Sequence, residues 1–81
     1  MVVKLTEMKR GQVGVVSHIE GGYEFARKIQ NMGIRTGKKM KKIEEHFRKG
    51  PQTIRIDNFK IAIGYGMAEK IFIETGKNES R

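Results

Sequence analysis

The sequence predicts a mainly β domain: a small, strongly bent antiparallel barrel of about five strands, with one short α-helix between the first and second. Three observations carry that prediction. Apolar residues alternate with polar ones over several short stretches, glycines separate those stretches, and a single segment has its apolar residues at helical spacing. The chain has 81 residues, ten of them glycine and only one proline. One domain is all this length supports, since a second would need roughly another hundred residues. We expect that domain over 1–75 and a flexible polar tail over 76–81.

Met1 to Arg10 reads as a lead-in, with Leu5 and Met8 three apart as anchors and Gly11 as the turn before a strand. Gln12 to Glu20 then alternates. Val13, Val15 and Ile19 form an inward face, leaving Val16 with Gln12, Gly14 and His18 on the outward one. Gly21-Gly22 breaks this strand. In Tyr23 to Met32, Phe25, Ile29 and Met32 are spaced by four and three and so share one helical face. Glu24 lies in the first turn and Arg27 and Lys28 nearer the last, the order that complements the helix dipole. Gly33 suits the left-handed capping conformation.

From Lys38 to Phe47 the apolar residues Met40, Ile43 and Phe47 keep neither a period of two nor one of 3.6. This predicts a strand with a bulge, which would turn most of its lysines outward. Gly50-Pro51 is a turn. Ile54 and Ile56, then Phe59, Ile61 and Ile63, alternate with polar neighbours around Asp57-Asn58, a pair suited to a two-residue hairpin because both tolerate positive φ. Gly64 to Ala68 reads as a turn, and Ile71 and Ile73 face inward from the last strand.

Lys plus Arg number 17 against 9 Asp plus Glu, a net charge of +8. Such a surface favours nucleic acid, anionic lipid or acidic protein faces as partners. With no cysteine there is no disulfide, thiolate metal site or thiol nucleophile. No apolar run approaches the roughly 18 residues of a spanning helix, and the start is not signal-like, so we expect no membrane insertion and a cytoplasmic location. Neither Gly21-Gly22 nor Gly64-Tyr65-Gly66-Met67 has the Lys and Ser or Thr of a phosphate loop. Ser17 is the only serine before the tail, and no paired acids stand in an apolar setting, so catalysis has no support.

The metal-ligand candidates are His18, His46 and Glu44, because imidazole and carboxylate suit ferrous iron. Two distant histidines do not have ligand spacing, so no cofactor is expected; a transition metal ion shared between two copies stays open, as does a homo-oligomer. Met32, Met40 and Met67 read as core fillers. The basic residues are more informative. Lys38, Lys39, Lys41 and Lys42 crowd one strand, with Arg27, Lys28 and Arg35 nearby along the chain. We take Arg27, Lys28, Arg35, Lys41 and Lys42 as the rim of a partner-binding surface. Phe72 faces out if Ile71 and Ile73 face in; either it makes, with Tyr65, an apolar docking spot rimmed by Lys60 and Lys70, or the N-terminal lead-in partly covers it. The rival reading is a small basic nucleic-acid-binding barrel. It calls for exposed aromatics among the cations, whereas Tyr23, Phe25, Phe47, Phe59, Tyr65 and Phe72 mostly fall at expected core or turn positions.

The order Leu5, Gly11, a Val-rich strand, Gly21-Gly22, a short basic helix, Met32-Gly33-Ile34-Arg35-Thr36-Gly37, Gly50-Pro51, Ile61-Ala62-Ile63 and Ala68 before Ile71 resembles the FeoA family. The likeness covers roughly residues 3 to 74. It implies an SH3-like β-barrel and a role as a small cytoplasmic accessory to ferrous iron uptake, acting on the membrane GTPase-permease FeoB. A similar domain ends some metal-responsive repressors, after a helix-turn-helix domain for which this chain has no room. Two places depart from the family pattern. Asp57-Asn58 stand where the family tends to have glycine, and Gly64-Tyr65-Gly66 where it has a helical, charged segment.

Overall fold

The computed structural model describes residues 1–45 and 49–76. Six antiparallel strands form one curled sheet in the order β1-β6-β2-β3-β4-β5. They are β1 (Val2–Lys4), β2 (Val13–Ile19), β3 (Lys39–Glu45), β4 (Gln52–Ile56), β5 (Phe59–Ile63) and β6 (Ile71–Glu74). Helix α1 (Tyr23–Asn31) joins β2 to β3, and the short α2 (Tyr65–Ala68) joins β5 to β6. The chain is thus mainly β with the expected helix in the expected place. The sixth strand comes from the lead-in, where Val2, Val3 and Lys4 pair with Glu74, Ile73 and Phe72. Three residues are too few to show a period of two, so this edge strand had no sequence signal.

A 3-10 turn over Leu5–Glu7 follows β1. Leu5 and Met8 are both buried, as their spacing predicts, in a core with Val16, Ile29, Ile34, Met40, Ile54, Ile56, Ile63, Ala68, Ile71 and Ile73. The end of α1 packs into this core. Gly33 takes φ +97, its amide donates to the Gln30 carbonyl at 2.9 Å, and the Ile34 amide donates to that of Ile29 at 3.3 Å. These two bonds make a Schellman cap, and the accompanying apolar contact is supplied by Ile29 and Ile34, both fully buried.

Three features differ from expectation. In β2 the inward residue is Val16, at 1% exposure, while Val15 faces out at 37%. A bulge lies between Val16 and His18. One parity drawn through Val13, Val15 and Ile19 ignores that extra residue; Ile19 does face in, but only because the bulge resets the alternation. Second, Phe59 shares the inner-facing register of Ile56, yet is 67% exposed, because β5 ends the sheet and the hairpin tip curls past the core. Third, Tyr65–Ala68 forms a helical turn rather than an irregular one, with the Ala68 amide donating to the Gly64 carbonyl at 2.9 Å. The expected hairpin is present: Ile56 pairs with Phe59 across Asp57-Asn58, and Asp57 takes φ 55.

Candidate functional site

The outer face of the β3-β4-β5 half of the sheet collects the cations. Residues opposite each other on neighbouring strands share a face. Val13 is opposite Lys41, Lys41 opposite Arg55, and Arg55 opposite Lys60. Lys41, Arg55 and Lys60 therefore stand abreast, all exposed. Lys39, opposite Val15, flanks the row on the same face. A groove of about 420 Å³ opens here, lined by Val13, Lys39, Met40, Lys41, Arg55 and Asp57. Its charge is not offset from within, because the one acid in the wall, Asp57, already accepts from the Lys38 ammonium at 2.8 Å.

The predicted rim does not assemble as one surface. Lys41 belongs to the row just described. Lys42 is fully buried, which removes it from any docking face. Its Nζ donates to the carbonyls of Leu5 and Met8, each at 2.9 Å, so it clamps the 3-10 turn. The expected bulge in β3 exists, but it falls between Lys42 and Glu44, one residue too late to turn Lys42 outward. Arg27 and Lys28 are exposed on α1, which packs against the inner face through Ile29. Arg35, beyond that helix, donates from Nε to the Gln30 carbonyl at 3.4 Å. Arg27 and Lys28 thus stand on the helix side of the sheet, and Lys41 on its outer face.

The two rings of the expected apolar spot, Tyr65 and Phe72, are both half-buried. Tyr65 is half-buried at the start of α2. Phe72 does face outward, half-buried, but its ring stacks on His18 with centroids 4.6 Å apart and planes 3° from parallel. Lys70, expected on the rim, sits over the Phe25 ring at 5.1 Å. His18 is exposed, with Nε2 3.4 Å from a Glu20 carboxylate oxygen. Glu44 is exposed on β3, and His46 lies outside the described residues. Among the described residues no three His, Asp or Glu side chains gather in a way that could hold a metal ion.

The aromatic argument against nucleic acid also needs correction, since Tyr23 is 78% exposed and Phe59 is open at the hairpin tip. Neither stands with the cation row: Tyr23 is on α1 and Phe59 has inner-face register. Arg55 is the member of the row that sequence reasoning missed. Hairpin alternation alone turns it outward, but its alignment with Lys41 depends on the β3-β4 register, which the bulge sets.

No helix among the described residues is long and apolar enough to cross a membrane. Residues 3–75 match the FeoA domain model. A Methanocaldococcus jannaschii protein named Fe(2+) transport protein A is 36% identical over 75 residues, which cover 88% of this chain and 89% of that one. The crystal structure of an iron uptake regulatory protein, FeoA, superposes with a TM-score of 0.85 at 35% identity, covering 91% of this chain and 97% of its own. A manganese-dependent transcriptional repressor shares the fold alone, at 18% identity and a TM-score of 0.83, with 93% of this chain matching 42% of the repressor. The domain match over residues 3–75, with near full-length agreement with the transport protein and with the FeoA crystal structure, leads to one conclusion: the chain belongs to the FeoA family.

Proposed function

We propose that this protein is a non-enzymatic, cytoplasmic accessory of ferrous iron uptake that acts by docking onto the cytoplasmic part of a FeoB-type GTPase-permease. The observation that carries this reading is the FeoA domain match across residues 3–75. The names of the relatives, an Fe(2+) transport protein and an iron uptake regulatory protein, support it. So does the chemistry of the chain. It has no phosphate-binding motif, so GTP chemistry belongs to the partner, and what this chain offers is a strongly basic surface. Charges on such a surface govern encounter rate and specificity more than affinity.

The test is capture of the permease's cytoplasmic domain by the purified protein, together with ferrous uptake in cells lacking the chain. Capture, with an uptake rate that changes on deletion and returns on complementation, is the expected result. Generic DNA or RNA bound tightly with a steep salt dependence, with no capture of the permease domain, would overturn it in favour of the nucleic-acid reading.

A further inference from the structure

The row Lys41-Arg55-Lys60 is unusual for a protein surface, since like charges directly opposite on neighbouring strands destabilise a sheet. Adjacent strands lie about 4.8 Å apart, so the three cations span about 10 Å across the strands. The strip is bounded. The Lys38-Asp57 ion pair closes it on one side, and exposed Glu44, which pairs with Thr53 beyond the bulge, closes it on the other. The groove against the row has an apolar component in Val13. The nearest ring pair on this face, His18 with Phe72, lies on β2 and β6, outside the cation half.

The geometry points to a specific occupant: a short acidic segment of a partner protein that crosses β3-β4-β5, with its carboxylates between Lys41, Arg55 and Lys60 and an aliphatic side chain in the groove beside Val13. The other anions fit less well. A nucleic-acid strand brings bases that stack on aromatics, and no described residue on the outer face of this half is aromatic. A bilayer is flat, whereas the site is a groove. Alternate side chains of an extended segment are about 7 Å apart, within reach of long cationic arms set about 4.8 Å apart. Arg55, at the centre of the row, has the planar fork that receives a carboxylate through two parallel bonds. The identity of the partner rests on the docking reading above; the identity of the face does not.

Fluorescence anisotropy with a short labelled peptide of alternating Glu and Val tests the inference. The wild-type protein binds it, and the matching Gln and Val peptide is not bound. Arg55→Glu with Lys60→Glu weakens binding by about tenfold or more. Arg27→Glu with Lys28→Glu makes the same change in net charge on the helix side and leaves binding intact. Thermal melts confirm folding, and Arg55→Gln with Lys60→Gln repeats the test without adding acids. Equal losses from both charge-reversed pairs would overturn the site, since net charge alone would then account for binding. Tighter binding of poly-uridine RNA or phosphatidylglycerol vesicles through Arg55 and Lys60 would overturn the occupant. The permease domain separates the two readings. Equal capture by wild type and by the Arg55→Glu, Lys60→Glu protein sinks the face but not the docking. Peptide binding that needs Arg55 and Lys60, without any capture by wild type, sinks the docking but supports the face.

Discussion

Lys41 and Lys42 are consecutive on β3, and each heads a row that crosses the sheet. The inner row runs Lys42, Ile54, Ile61 and the outer row Lys41, Arg55, Lys60. In the inner row the ammonium replaces its water with the Leu5 and Met8 carbonyls, and the isoleucines remove apolar surface from solvent. In the outer row three cations face one another with nothing between them. The inner row stabilises the fold, whereas the outer row, with like charges opposite one another, opposes it. One position along a strand separates the two roles, so composition alone cannot assign a lysine to either.

The comparison breaks most visibly at Lys42. Both carbonyls that it holds are buried; that of Leu5 also accepts from the Met8 amide at 3.2 Å, and that of Met8 lies just past the turn. Lys42→Met keeps the stem but takes the charged donor from both carbonyls, leaving that of Leu5 with the Met8 amide, so we expect a loss of about 3 kcal/mol, a fall in Tm on the order of 15 °C for a domain of this size. Calorimetry checks it. A variant as stable as wild type would mean that the clamp contributes nothing and Lys42 is buried for packing alone.

Gly14 tests how tightly the inner face closes. It pairs with Met40, and a Cβ at this position would overlap the Ile73 Cγ2 methyl and lie 3.0 Å from the Glu74 carbonyl oxygen. Gly14→Ala should therefore cost about 2 kcal/mol by overpacking β2 against β6, read from denaturant midpoints at constant m-value. A neutral result would show that β6 can shift outward freely. The outer row should respond with the opposite sign. Arg55→Gln removes the middle charge, so at low ionic strength we expect a gain of about 0.5 kcal/mol, fading as salt screens the row. A loss instead would mean that the Arg55 stem covers the sheet.

Legibility in the sequence follows the same division. Patterns contained within one element were readable: α1 with its Gly33 cap, the Asp57-Asn58 hairpin, and the inward Ile71 and Ile73. What was not readable depends on pairing between elements. The β3 bulge was visible as a broken period, but not its position after Lys42, and that one-residue difference moves Lys42 from rim to core. Arg55 was missed for the same reason. Val15 and Val16 exchanged faces because β-branched residues are frequent on both sides of β2, and only its pairing with β6 reveals the second bulge. Strand β1 had too few residues to show alternation at all.

Phe59 limits how far the inner-row rule extends. By register it belongs with Met40 and Ile56, both buried, and by residue type it would be the heaviest contributor of the three. The sheet curls around a finite core, however, and at the tip of the edge hairpin the inner face meets solvent. Phe59→Thr replaces an exposed ring with a residue equally suited to a strand, and stability should change by less than about 0.5 kcal/mol. A core phenylalanine truncated in this way would cost several times more. Melts of the variant at two protein concentrations make the outcome decisive. A large loss would show that the ring is covered, and a wild-type Tm that rises with concentration would identify the cover as a second copy of the chain.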